Sequence, residues 1–354
     1  MDPSLGGQQS EERAVVTGAG GFIGGHLVAD LVDRGHDVRA VDVKPVDRWF
    51  QRHESADNLS RDLKEKDACF EVLEGAGEVY NLAADMGGMG FIENYKAECM
   101  LNVLINTHLL MAAREKGVDR YFYASSACVY NQELQDTPDV TPLEEGDAYP
   151  ALPEDGYGWE KLFSERMCRH FHEDYGIGTR VARFHNVYGP LGTYDGGREK
   201  APAALCRKVA KVKLGAADTV TIWGDGTQTR SFTWIDDCIE GIRRITRSDV
   251  TDPLNLGSDE MVTIDKLVDL IEKAAGVEVE RDYDLSKPQG VGGRNSDNTK
   301  IENELAWSPS TSLREGIAET YAWIEDEVRK DLEGKREEPS VFTLGYGMEQ
   351  EALV

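Results

Sequence analysis

Along its first half the chain alternates short apolar runs with longer segments whose apolar residues recur at helical spacing. Ala14, Val15 and Val16, then VRAVDV at 38–43, VYNLAA at 79–84 and YFYASS at 121–126 read as strands. The stretches from Phe22 to Arg34, from about Glu93 to Lys116 and from about Tyr157 to Tyr175 read as helices, the first stopped by Gly35. A weak third strand precedes Asp62. This alternation predicts an α/β fold built on a doubly wound parallel sheet, whose ligands lie beyond the C-terminal ends of the strands. Asn81, Ala83, Ser125 and Ser126 fall at such ends.

From about residue 184 the alternation loosens, and Gly/Pro punctuation after RFHNVYGP (183–190) marks a passage into loops. A second, smaller substrate-binding domain is expected there. The predicted division is 13–183 for the first domain, with 231–257 returning to it, and 184–230 plus 258–330 for the smaller lobe. Residues 1–12 and 331–354 are read as tails.

The turn after the first strand is TGAGGFIG. Its glycines at 18, 21 and 24 form a G-x-x-G-x-x-G dinucleotide loop: Gly18 permits the turn, Gly21 lets the backbone approach a pyrophosphate, and Gly24 lets helix pack on strand. The pyrophosphate belongs at the helix N-terminus, beside Phe22 and Ile23, where free N–H groups favour an anion. Asp42, ending the second strand, can accept hydrogen bonds from ribose hydroxyls and would repel a 2′-phosphate. NAD is therefore expected over NADP, on a Rossmann domain. Asp42 read alone is also an ordinary strand-end aspartate, and Asp62 fits either an adenine contact or a surface turn.

Tyr157 and Lys161 in YGWEK lie one helical turn apart on the same face. A tyrosine is a poor base near neutrality, and a nearby ammonium favours its phenolate. With Ser126 as hydrogen-bond partner, the pair can shuttle a hydroxyl proton while a nicotinamide takes hydride. SSACVY (125–130) then sets Cys128 where substrate meets cofactor, so a redox tyrosine and a proton-carrying thiol share one site. Read alone, Cys128 also fits a small buried residue at a strand end.

The charge of −26 over 354 residues excludes a nucleic-acid backbone as partner. Against that acidity, Arg198, Lys200, Arg207, Lys208, Arg230 and Arg294 stand in or beside glycine-rich loops, a pattern that suits capture of an anionic small ligand such as a diphosphate. No apolar run reaches the length of a membrane span, and the first twelve residues are polar and acidic. Six scattered cysteines lack paired metal spacing, so reduced thiols, no metal site and a cytoplasmic location are expected.

TGAGGFIG with SSACVY and YGWEK resembles the extended short-chain dehydrogenase/reductase family. NLAADMGGMGFI, RFHNVYGP, GGREKAPAA, GDGTQTRSFTWIDD and GRNSDN look like its GDP-mannose 3,5-epimerase branch, from about residue 13 to about 330. The resemblance implies NAD-assisted oxidation of GDP-mannose at C4, epimerisation at C5 and C3, and return of the hydride, giving GDP-L-galactose and GDP-L-gulose. It further implies that Tyr157 and Lys161 are the redox pair and that Cys128 and Lys200 transfer protons on opposite sides of the sugar. Substrate contacts are implied at Gly87, Ser126, Ala127, Asn186, Glu199, Ala201, Lys208, Gln228, Thr229, Arg230 and Arg294, cofactor contacts also at Ala83, and a homodimer as the assembly. Lys200 on its own chemistry also fits a phosphate contact. A 4,6-dehydratase would place an acid after the active-site Ser or Thr, where Ala127 and Cys128 stand. A 4-epimerase would leave Cys128 and Lys200 idle.

Overall fold

The central strands of the first half carry apolar runs buried on both faces, as a sheet covered on both sides requires, while the edge strand at 57–60 is polar and partly exposed. In the computed structural model, which describes residues 13–335 except Gln289, the strands are β1 (Arg13–Thr17), β2 (Val38–Asp42), β3 (Asp57–Ser60), β4 (Ala76–Asn81), β5 (Arg120–Ser126) and β6 (Gly178–Phe184). After the short strands β7 (Val187–Tyr188), β8 (Thr219–Trp223), β9 (Thr229–Ser231) and β10 (Thr233–Trp234), the chain returns as β11 (Leu254–Leu256). One parallel sheet results, in the order β11-β6-β5-β4-β1-β2-β3. The strand order reverses between β1 and β4, which opens the crevice where such sheets bind ligands.

Period-two alternation divides the core. Ala14, Val16, Ala40, Tyr80 and Phe122 point to one face, covered by α1 (Phe22–Asp33) and, from later in the chain, α8 (Ile235–Arg247). Val15, Val41, Val79, Tyr121 and Val181 point to the other, against α2 (Lys66–Val72), α5 (Asn102–Lys116) and α6 (Tyr157–Tyr175). Between α2 and α5 stand two short helices, α3 (Met89–Asn94) and α4 (Lys96–Met100).

The smaller lobe contains α7 (Ala201–Lys213), β8 paired in parallel with β13 (Glu280–Asp284), and β9 between antiparallel β12 (Met261–Thr263) and parallel β14 (Gly293–Arg294). Helices α9 (Ile264–Ala275) and α11 (Leu313–Leu332) pack with α7, while α10 (Thr299–Leu305) lies by β11. Leu205, Leu267, Ile271, Ile317 and Ile324 from these helices join the same hydrophobic core as Val16 of β1 and Ile235 of α8.

Three boundaries differ from the sequence reading. The helix expected over about 93–116 is three pieces, because Tyr95 leaves helical geometry (φ −125, ψ 48) and turns α3 so that Met89, Ile92 and Glu93 face a cleft. The strand expected at 79–84 runs from Ala76 to Asn81; Leu82 leaves the sheet where the Gly18 loop closes on its carbonyl. Helix α11 continues to Leu332, two residues into the expected tail, while residues 1–12 and 336–354 lie outside the described residues.

Candidate active site

Ser126 ends β5, and its Oγ accepts the Cys128 N–H at 3.2 Å, capping one tight turn over Ala127–Val129. That turn places Cys128, 7% exposed, in the wall of a cleft of about 1070 Å³ between the sheet edge and the smaller lobe. Tyr157 opens α6 against the same turn. A Cβ on Gly158 would stand 2.3 Å from the Cys128 carbonyl oxygen, so only glycine lets the helix start this close. Burial drives the Tyr157 phenol well above its ordinary pKa; Cys128 and Glu160 push the same way, and a hydrogen bond with Ser126 works against them. Burial thus opposes ionisation of the phenol, and a neighbouring ammonium is what favours the phenolate that proton abstraction requires. Lys161, one turn on, donates Nζ to the Ala124 carbonyl at 3.1 Å and lies 5.4 Å from the Tyr157 ring centroid.

The opposite wall is cationic. Lys200 precedes the first turn of α7, and burial, helped by the Arg294 charge, lowers its pKa while Cys128 raises it. Arg294 on β14 donates Nη1 to Cys128 Sγ at 3.4 Å and Nε to Gln135 Oε1 at 2.6 Å. Arg230 on β9 donates to the carbonyls of Thr229 (2.7 Å) and Val291 (2.6 Å); burial and Arg294 push it down to about 9. Lys208 donates to the Thr221 carbonyl at 2.6 Å, and burial lowers its pKa. Glu199 accepts from Arg207 at 2.8 Å and from the Gly197 N–H at 2.7 Å.

Of the predicted substrate residues, Gly87, Ser126, Ala127, Cys128, Asn186, Glu199, Lys200, Ala201, Lys208, Gln228, Arg230 and Arg294 all line this cleft. Two basic or polar candidates do not. Thr229 alternates away from Gln228 and Arg230 on β9, and its hydroxyl donates to the Pro138 carbonyl. Arg198 is held by Asp85 at 2.7 Å with its guanidinium 4.0 Å from the Phe91 ring centroid, so it ties the 85–91 segment to the lobe instead of facing an anion.

The cofactor loop lies at the switch point. Gly18 has φ +72, and a Cβ there would stand 2.9 Å from the Leu82 carbonyl carbon; a Cβ on Gly24 would stand 2.2 Å from Gly18 O. Loop and helix thus touch backbone to backbone, with Gly21 capping α1 and Phe22 and Ile23 beginning it. Ala83 faces the loop, its N–H donating to Thr17 Oγ1 at 3.3 Å. Asp42 accepts from the Gly20 and Lys44 N–H groups, each at 3.0 Å. Each carboxylate oxygen keeps further acceptor capacity, which fits a ribose diol. Asp62 is exposed beyond β3, its carboxylate accepting the Lys64 N–H at 2.9 Å.

Sequence reasoning passed over Glu154 and Trp223. Glu154 is 7% exposed in the cleft wall, and its position three residues before Tyr157 is the one signal it offered. Trp223 is half exposed at the rim, with the Lys208 ammonium 6.0 Å from its ring centroid. Among the described residues no His/Cys/Asp/Glu group is set to hold a metal, the six cysteines are free and buried, and no helix is long and apolar enough to cross a membrane.

A dinucleotide loop at the switch point, joined to a Ser-Tyr-Lys constellation, defines a nicotinamide-dependent enzyme of the Rossmann type. The profile of the NAD dependent epimerase/dehydratase family matches residues 14–257, and the chain belongs to that family, with NAD as cofactor. GDP-mannose 3,5-epimerase 1 of Oryza sativa subsp. japonica is 45% identical over 336 residues, 95% of this chain and 86% of the relative. GDP-mannose 3,5-epimerase of Arabidopsis thaliana is 44% identical over 321 residues, 89% and 83% of the two chains. Among solved structures, UDP-glucuronic acid 4-epimerase from Bacillus cereus, in complex with UDP-glucuronic acid and NAD, aligns with a TM-score of 0.76 at 25% identity, covering 89% of this chain and 99% of that one. UDP-glucose 4-epimerase from Thermotoga maritima shares the fold, with a TM-score of 0.80 at 23% identity over 89% and 99%.

Proposed function

We propose that the protein epimerises GDP-mannose at C3 and C5 through a 4-keto sugar, giving GDP-L-galactose, with GDP-L-gulose from inversion at C5 alone. The observation that carries this reading is the meeting of two proton-transfer groups, Cys128 and Lys200, in one cleft with Tyr157 and Ser126, with Lys161 beside the Tyr157 ring. The 44–45% identical relatives named for the same reaction support it.

In this reading Tyr157, oriented by Ser126 and Lys161, takes the proton of the C4 hydroxyl. NAD, held by Gly18, Gly21, Phe22, Ile23, Gly24, Asp42, Asp62 and Ala83, supplies the acceptor for the C4 hydride and later its donor. The ketone acidifies the neighbouring C–H bonds; one of Cys128 and Lys200 removes a proton from one face, and the other delivers a proton to the opposite face. Lowering of the Lys200 pKa by burial moves an ammonium toward the range where it can exchange protons near neutrality. Arg230, Arg294 and Lys208 supply positive charge for a diphosphate, and Gly87, Asn186, Glu199, Ala201 and Gln228 shape the cleft.

The division into 13–183 with 231–257, and 184–230 with 258–330, belongs to the same proposal, as does a cytoplasmic homodimer. Leu104 and Met111 on α5, Leu101 just before it, and Trp159 and Phe163 on α6 are exposed apolar residues on two helices that pack together, and a second copy would cover them.

Incubation with GDP-mannose in deuterated water tests the reading. Deuterium at C5 and C3 without loss of water, abolished in Cys128→Ala, is expected. No label at either carbon, or elimination of water, overturns it.

A further inference from the structure

The mechanism above leaves one buried titratable group of the cleft without a task. Glu154 sits in the linker before α6, and its backbone N–H donates to the Cys128 carbonyl at 3.0 Å. The Gly158 N–H reaches its carboxyl, whereas Oε2 is buried with no hydrogen-bond partner. A carboxylate oxygen held dry and without a donor is a costly arrangement, and a neutral carboxyl relieves the cost.

The charged and titratable groups around it come from several elements. Arg294 faces it from β14, Lys96 and Cys99 from α4, and Asp155 follows it in the chain. Lys200, Arg230 and Arg294 face Cys128. Arg294 thus stands in the field of the carboxyl and in contact with the thiol. We propose that Glu154 is a positioning residue for Cys128, acting through Arg294: when ionised it offsets the arginine's charge and holds the thiol protonated, and when neutral it leaves that charge to favour the thiolate.

Burial raises the Glu154 carboxyl to about 7, with Asp155 adding to the rise and Arg294, Lys96 and the Gly158 N–H opposing it. The switch therefore falls near neutrality. As pH climbs and thiolate would otherwise accumulate, Glu154 ionises and restrains it. The thiol stays available as a proton donor as well as an acceptor, which an epimerase needs on each turnover; in this respect the inference rests on the proposed function.

The test reads the thiol itself and needs no sugar. With NAD-loaded enzyme, the rate at which a disulfide reagent such as 4,4′-dithiodipyridine modifies Cys128 is followed against pH, the site assigned by peptide mapping and the background set by Cys128→Ala. Glu154→Gln is expected to match the wild type at pH values near 5.5, where both side chains are neutral, and to react about three- to tenfold faster near pH 8.5. Equal rates at every pH overturn the proposal, and so does a difference of the same size at every pH, which a merely structural change would give. Because no GDP-mannose is present, failure here is distinct from failure of the deuterium experiment.

Discussion

The Lys161 ammonium is fixed against the Tyr157 ring by a 3.1 Å hydrogen bond to the Ala124 carbonyl, so β5 itself sets the distance between the two side chains. Replacing the lysine removes a cation beside a phenol whose ionisation burial opposes. Lys161→Met is expected to lose about 10²–10⁴-fold in turnover and to form no NADH during a single turnover with GDP-mannose. Cys128→Ala is expected to retain transient NADH absorbance while losing exchange at the sugar carbons, which separates oxidation from proton transfer in stopped-flow traces.

Behind Ser126 lies a buried ion pair. Arg183 grips Glu165 with two bonds of 2.9 and 2.8 Å, and Ser125 donates to the same carboxylate. Arg183→Met leaves that carboxylate without its cation, a loss of about 3–5 kcal/mol by urea denaturation. The double variant Arg183→Met/Glu165→Leu is expected to regain most of it, since no buried charge is left uncompensated and only neutral groups such as the Ser125 hydroxyl lose a partner.

His185 is fully buried, and desolvation lowers its pKa from 6.5 to about 3, against the hydrogen bond from its ring to Asn255. The folded state therefore keeps the ring neutral at pH 5, while the unfolded chain binds a proton. Stability is present above about pH 6.5 and is lost as pH falls toward 3. Between pH 7.5 and pH 5 this residue is expected to cost the wild type about 2 kcal/mol that a His185→Gln variant does not lose, measured as the difference between the two pH–stability curves.

The apolar face on α5 and α6 gives a prediction about assembly. Phe163, 55% exposed, and Leu104 lie in its stripe. A Leu104→Asp/Phe163→Asp variant is expected to run as a monomer in light scattering where the wild type runs as a dimer. A monomeric wild type refutes that assembly.

The sheet was legible because strand and helix periods differ and its central strands are buried on both faces, whereas the polar edge strand β3 gave only a weak signal. The glycine loop was legible because Gly18 and Gly24 answer to backbone contacts that any side chain would block. Less was visible where tertiary contact decides. Arg198 reads as an anion ligand until Asp85, far away in sequence, is seen to hold it. Thr229 stood between two residues of the cleft, and the alternation of a three-residue strand was too short to exclude it. Glu154 belongs to no motif; its character comes from the dry wall that Cys128, Gly158 and Arg294 build around it.

The core shared by Val16, Ile235, Leu205 and Ile317 has a consequence for anyone re-engineering the enzyme. Cutting at the join between lobes would tear a single apolar interior and leave both fragments with raw, sticky faces. Lobe exchange between relatives is therefore a poor route to a new substrate. Change is better introduced at cleft-lining positions outside that interior, such as Met89, Trp223 and Val291, with Lys200 and Arg294 kept.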